Sequence, residues 1–281
     1  MKVVFSPLCL RYDHGPYHPE SPRRVKLILD TLVKSGFQIV PGRQAEIREI
    51  LEVHEREHLD RIVNRNYFDP DTPVIDPTFP LLAAGCSIKA ARMKEAFALV
   101  RPPGHHAGRN FLGGFCYFNN LAIGVKCVYE KKRVAILDLD AHHGNGTQDV
   151  FLGRSNVLYV SLHQYPLFPM TGKESIDNCL NYPLPPGTNG KTYLKTLRKA
   201  VNEIERFHPH ALAISLGFDA YAGDPLSDLR LQIRDFYRLG EVVGGLVKEI
   251  DCRYFFVLEG GYSERIGELA LEFFRGFQMK V

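Results

Sequence analysis

The sequence predicts an α/β fold of three layers: a mainly parallel central sheet with helices on both faces. Three observations predict it. Short apolar runs recur along the chain. They are nearly continuous rather than alternating, as in strands buried on both faces. Segments with helical periodicity lie between them, which makes the strands parallel neighbours joined by crossover helices.

In chain order, Val3–Phe5 reads as the first strand and Pro22–Lys34 as the first helix. A helix over Leu81–Met93 leads into a strand at Phe97–Val100. A helix over Asn120–Glu130 leads into a strand at Val134–Leu137, with the basic run Lys131-Lys132-Arg133 as the solvated turn between them. A strand at Val157–Val160 follows. A helix over Lys191–Phe207 precedes a strand at Ala211–Leu216, and a helix over Leu231–Ile250 precedes the last strand, Tyr254–Leu258. There is no internal repeat, low-complexity stretch or Pro/Gly/Ser-rich linker, so residues 1–281 read as one domain.

Composition narrows the function classes. With 281 residues and 45% hydrophobic content, the chain can bury a sizeable core and is not disordered. A formal net charge of +3 is too small to argue for nucleic acid. The six cysteines contain no C-x-x-C pair, which excludes a zinc ribbon or thioredoxin-like motif. The N-terminal apolar stretch is broken by Pro7 and Arg11, so neither a signal peptide nor a membrane span is expected. A cytoplasmic protein, monomeric and without membrane or nucleic-acid partners, is the expectation.

Ligands bind at the carboxyl ends of strands in open parallel sheets. Here five strand candidates are followed by polar, glycine-rich text: RPPGHHAGRN, DLDAHHGNGT, SLHQY, GFDAYAGDP and EGGYSE. One rim would collect the histidines, aspartates and a tyrosine. Asp138, Asp140 and His142 alternate, and alternate residues of an extended segment share a side. A carboxylate and an imidazole so placed can hold a divalent cation, with Asp219 from another strand end as third donor. Such a set leaves coordination positions open, as catalytic zinc sites do. The plainer reading makes these residues caps and loop hydrogen bonds. It weakens once Asp219 stands at a matching strand end.

His105 and His106 follow Pro-Pro-Gly, and a histidine near an activated water can serve as general base at neutral pH. Tyr262 follows Gly260-Gly261 and can donate to a developing oxyanion. A lone tyrosine there more often satisfies a core polar group. Phe115 and Phe168 can wall a channel, though single aromatics are usually core.

These residues are similar to a known family. RPPGHHA at 101–107, GFCYFNN at 114–120, DLDAHHGNGTQ at 138–148, GFDAYAGDPL at 217–226 and LEGGY at 258–262 resemble the histone deacetylases and acetylpolyamine amidohydrolases. His18-Pro19-Glu20 also matches, and the likeness runs from Tyr12 to Tyr262. It implies the arginase/deacetylase-like fold and a zinc-dependent hydrolase of acetylated amines. It assigns zinc to Asp140, His142 and Asp219, the base role to His106, an electrostatic or proton-donating role to His105 with Asp138 behind it, and carbonyl polarisation to Tyr262. Phe115, Phe168 and Leu226, with Gly114 and Gly260, would bind the substrate stem. Arg24 would lie near the acetate pocket. A potassium ion is implied near Asp138, Asp140, His142, Ser161 and Leu162, and a weaker one near Phe151, Arg154 and Val157.

Asn145 stands where the family's class I has an aspartate. The chain therefore looks like the class II and bacterial branch, with a changed charge balance around His143 and His106. No long insertion lies between Tyr67 and Leu81 of the kind that builds dimers in acetylpolyamine amidohydrolases. Two rivals remain. One is a binuclear ureohydrolase, disfavoured because His143 rather than an aspartate follows His142. The other is a non-catalytic acetyl-amine binder, disfavoured by the full set of ligands, base and tyrosine. The residues do not choose between acetyl-lysine and acetylpolyamine, nor between Zn2+ and Fe2+.

Overall fold

The structure, a computed structural model, describes residues 1–93 and 95–281. Its strands are β1 (Lys2–Phe5), β2 (Gln38–Pro41), β3 (Glu95–Ala98), β4 (Val134–Asp138), β5 (Val157–Gln164), β6 (Cys179–Leu184), β7 (Ala211–Leu216) and β8 (Arg253–Leu258). They form one sheet in the order β2-β1-β3-β8-β7-β4-β5-β6. Every neighbouring pair runs parallel. All carboxyl ends therefore open on one rim, and the five central strands are the ones followed by the polar text.

The helices are α1 (Pro22–Lys34), α2 (Ile47–Ile50), α3 (Arg56–Val63), α4 (Thr78–Arg92), α5 (Asn120–Tyr129), α6 (Asn145–Phe151), α7 (Gly190–Phe207), α8 (Ile233–Ile250) and α9 (Ile266–Gln278). Successive residues of β8 show the layering, because they point to opposite faces. The ring of Phe255 stacks on Tyr129 of α5. The ring of Phe256 meets Phe273, Phe274 and Phe277 of α9.

Several elements depart from the sequence expectation. β2 and β6 are not signalled, because each is a short edge strand carrying a proline. α6 lies inside text that reads as a glycine-rich loop, and α9 lies beyond the last motif. β5 continues to Gln164, so Ser161 and Leu162 belong to the strand. Its late polar residues are paired there: Ser161 Oγ with His163 Nδ1 at 2.8 Å, and the Gln164 amide with the Ala141 carbonyl at 2.8 Å. β3 stops at Ala98 rather than Val100.

The edges are shaped by those prolines. The Gly42 amide bonds to Phe5 of β1, so Pro41, one residue earlier, faces away from the sheet. The Leu184 carbonyl accepts from Tyr165, next to β5, so Pro183 also faces outward. On the same outer edge, Cys179 pairs with Ile176, and the Asn181 amide donates to Ser175 Oγ at 2.9 Å.

The basic run 131–133 is exposed in the turn before β4, as expected. The six cysteines are free thiols. Among the described residues, no helix is long and apolar enough to cross a membrane.

α8 and α9 cross through glycines. A Cβ on Gly240 would meet the Phe273 carbonyl at 1.9 Å, and one on Gly276 the Tyr237 carbonyl at 1.9 Å. Helix propensity alone would reward alanine at either site. Steric conflict with a backbone carbonyl outweighs that gain. Gly276→Ala should therefore destabilise the fold by about 1–3 kcal/mol, the usual cost of overpacking. Denaturant unfolding checks this, and an unchanged or raised midpoint would contradict the packing described.

Candidate active site

The rim residues converge around a cavity of about 240 Å³. At its inner end, donor atoms of Asp140, His142 and Asp219 all lie within 4.8 Å of one another. His142 Nδ1 is 3.1 Å from Asp140 Oδ1 and 2.8 Å from Asp219 Oδ2. On its other side, His142 Nε2–H donates to the Leu226 carbonyl at 3.1 Å. A carbonyl can only accept, so a neutral His142 ring turns its Nδ1 lone pair toward two carboxylates. Burial disfavours the charged ring, but Asp140 and Asp219 outweigh it and raise its pKa well above the ordinary range, so that a proton or a metal is drawn to that nitrogen. Three electron-pair donors turned on one point call for positive charge there. Asp140 Oδ2 and Asp219 Oδ1 are oriented from behind by the amides of Gly260 and Ala141, at 2.7 and 2.8 Å. Burial and the Asp140 carboxylate push Asp219 up to about 7. A cation is what allows both carboxylates to stay ionised, so the donor set fits a divalent metal.

Asp138 stands one step back from this cluster. β4 ends at Asp138 and the chain then turns, so the predicted three-residue face splits. Asp138 Oδ2 accepts from His105 Nδ1–H at 3.2 Å and from the Tyr159 hydroxyl at 3.0 Å. Burial lowers the His105 pKa, but Asp140 and Asp138 outweigh it and raise it to about 10. His106 is the opposite case. Burial, then the neighbouring His105 and His142, hold it well below the ordinary imidazole range. Its Nδ1–H donates to Asn145 Oδ1 at 2.8 Å. The other nitrogen is left as a free acceptor.

Asn145 therefore changes the environment of His106 and not that of His143. His143 bonds elsewhere, to Thr171 Oγ1 at 2.7 Å and Gln148 Oε1 at 3.2 Å. That corrects the expectation that both rings would feel the substitution.

Tyr262 lines the cavity, and burial pushes its phenol well above the ordinary range. Arg24 does not line it. The guanidinium lies 4.5 Å from the Tyr262 ring centre and donates to the carbonyls of Glu259 and Gly261 at 2.5 Å each. Arg24 thus holds the tyrosine loop from behind, outside the cavity that Tyr262 lines.

Phe115, Phe168 and Leu226 line the cavity, as do Gly114 and Gly260. Phe168 stands edge-on to His106 at 5.0 Å, and Phe115 edge-on to Tyr262 at 5.8 Å. Gly114 has φ +54°, and a Cβ there would strike the His106 ring at 2.5 Å and Phe168 at 2.8 Å. Only glycine lets this wall approach the imidazole.

Ser161 is the register partner of Asp138 across β4 and β5, with Leu162 beside it. The weaker potassium position does not fit. The Asn178 amide nitrogen donates to the carbonyls of both Phe151 and Val157, at 2.9 and 2.8 Å. Asn178 Oδ1 accepts from the Gly153 amide at 2.7 Å, which fixes the amide's orientation. A side-chain donor occupies the ground a second cation would need.

The sequence reading missed three residues. Glu259 is fully buried and accepts from the amides of Gly104 and His105 at 2.7 and 3.1 Å. Asp71 lines the cavity from a loop that carried no motif. Asp224 lies behind the tyrosine loop. An acidic residue directly after an all-apolar strand, as Glu259 is, was the one signal available.

An open parallel sheet with a cluster able to hold a cation, two histidines of opposite character and a half-buried tyrosine at its carboxyl rim is the architecture of a hydrolase. The histone deacetylase domain matches residues 18–275, and the chain belongs to that family. It is 36% identical to a probable deacetylase of Archaeoglobus fulgidus, over 93% of this chain and 81% of the relative. It is 35% identical to acetylpolyamine amidohydrolase 2 of Pseudomonas aeruginosa, over 80% of this chain and 70% of that one. The crystal structure of the HDA15 HD domain superposes with a TM-score of 0.90 at 32% identity, over 99% of this chain and 91% of that one.

If the cluster is the metal centre, Asp219→Ala should abolish stoichiometric metal binding. Tyr262→Phe should leave it intact. Elemental analysis after dialysis distinguishes them, and full metal content in Asp219→Ala would displace the centre from this cluster.

Proposed function

We propose that this chain is a zinc-dependent amidohydrolase that removes an N-acetyl group from a slender alkyl amine, yielding acetate and free amine. One observation carries the reading: the donor cluster, a neutral His106 and the Tyr262 side chain meet at the inner end of one cavity. The relatives called probable deacetylase and acetylpolyamine amidohydrolase support acetylated amines as the substrate class. Acetyl-lysine side chains and acetylpolyamines both suit a channel walled by Phe115, Phe168 and Leu226.

Asp140, His142 and Asp219 would hold the zinc, and the same donors suit Fe2+. When bound, the metal supplies Lewis acidity, polarising an amide carbonyl and making a water acidic near neutral pH. His106 accepts the proton of the attacking water at the nitrogen that Asn145 leaves free. Tyr262 donates its hydroxyl hydrogen bond to the amide oxygen as charge gathers there. His105, kept protonated by Asp140 and Asp138, supplies a proton to the departing amine. Phe115 and Phe168 exclude water from the alkyl stem. A potassium ion beside Asp138, Ser161 and Leu162 belongs to the same reading, because Asp138, Asp140, Asp219 and Glu259 bury four carboxyl groups in one region. Six free thiols suit a reducing cytoplasm.

Comparing kcat/KM across acetylated lysine peptides, acetylpolyamines and simple N-alkylacetamides tests the activity and ranks the amines. No turnover of any member by the metal-loaded chain would overturn it. Tyr262→Phe should lower kcat by about 10²–10³-fold, the usual cost of losing one oxyanion donor. Asn145→Asp puts a carboxylate on His106 and raises its pKa. The base form is then lost at higher pH, so the acid limb of the kcat/KM profile should move up by about one unit or more. An unmoved limb would remove His106 from the base role.

A further inference from the structure

The loop 259–262 carries the tyrosine on two glycines, and Gly261 has φ +110°. Such backbone does not hold one conformation by itself. Its position comes from outside. Arg24 takes the carbonyls of Glu259 and Gly261, Asp140 takes the Gly260 amide, and the Phe218 amide donates to the Gly260 carbonyl at 3.2 Å. The remaining hold is on the tyrosine itself. Its backbone N–H donates to Asp224 Oδ2 at 2.6 Å.

Asp224 is 7% exposed and does not line the cavity. Its other oxygen, Oδ1, accepts from the Leu226 amide at 3.0 Å. The Leu226 carbonyl in turn receives His142 Nε2–H. One carboxylate thus joins the tyrosine loop to the channel wall, and through that wall to the metal cluster. Among the described residues, the Tyr262 hydroxyl has no hydrogen-bond partner of its own. The ring rests on the Arg24 guanidinium and on Phe115, both of which allow sliding. The directional restraint on the tyrosine is therefore its backbone bond to Asp224.

We infer that Asp224 is a positioning residue for Tyr262: its carboxylate clamps the Tyr262 amide and the Leu226 amide together and so fixes the phenol's distance from the metal cluster. This inference rests on the proposed role of Tyr262. An asparagine at 224 offers one accepting oxygen for two amides and turns an NH2 toward the other. A small displacement of an oxyanion donor is costly, because its strength depends on where the charge develops.

The experiment combines a double-mutant cycle with amide exchange on the metal-loaded chain. Asp224→Asn should lower kcat roughly 10–100-fold, the scale of a hydrogen bond to a charged group, with KM within about threefold. In a Tyr262→Phe background the same change should cost less than about threefold, because the hydroxyl it positions is gone. Equal losses in both backgrounds would overturn the proposal. Hydrogen exchange at the Tyr262 amide should accelerate in Asp224→Asn while the β7 and β8 amides stay protected. Unchanged exchange would also overturn it, whatever the turnover. Faster exchange with unchanged kcat would instead count against the oxyanion role of Tyr262. Asp224→Glu keeps the charge but moves it by one methylene, and it serves where the asparagine variant does not fold. It should show the same cycle with smaller losses, and equal losses in both backgrounds would overturn the proposal there too.

Discussion

Burying like charges together is the constraint that organises the rest of the molecule. Asp138, Asp140, Asp219 and Glu259 are each at most 1% exposed, and all sit at the ends of neighbouring strands. A buried carboxylate without partners is expensive, so each must be met by donors or by positive charge. The loops after β3, β4, β7 and β8 are shaped by that demand. Their amides turn inward, as those of Gly104, His105, Ala141 and Gly260 do. Glycine is needed where a carboxylate presses on the backbone: a Cβ on Gly260 would lie 2.5 Å from Asp219 and 2.6 Å from Asp140.

The same economy governs the scaffold behind the site. Glu20 is buried between two arginines. Arg101 grips both of its oxygens at 2.8 Å, and Arg24 reaches one at 3.2 Å. Arg101 also donates to the carbonyls of Cys9 and Tyr12 and lies over the Tyr12 ring at 3.5 Å. This group ties the segment before α1 to the start of the histidine loop and to the tyrosine loop. A buried ion pair of this kind stabilises little by itself. Losing one partner strands the other charge, which is why such pairs act as fixed joints.

The fold was legible wherever burial was uniform. β4, β7 and β8 are apolar apart from Asp138, Ser215 and Arg253, and the positions expected for them match the sheet almost residue for residue. β2 and β6 were not legible, because an edge strand is covered on one side only and needs no continuous apolar run. The cluster of Asp140, His142 and Asp219 and the histidine pair could be read because their residue types are costly to bury without purpose. Asp224 and Asp71 could not, because a single acidic residue in a loop looks the same whether it is solvated or clamped. The direction of Asn145 was a geometric matter. Two histidines lay within reach in sequence terms, and only the turn into α6 selects His106.

The outward-facing prolines of the two edge strands set a limit on how this protein can associate. A second molecule that tried to extend the sheet would find no N–H at Pro41 or Pro183, and at β6 it would find Cys179 and Asn181 already taken by the preceding loop. The β6 border is thus closed to strand addition and the β2 border is interrupted by Pro41, which blunts the route by which exposed sheet edges template aggregation. Edge-to-edge joining of two such sheets is therefore disfavoured.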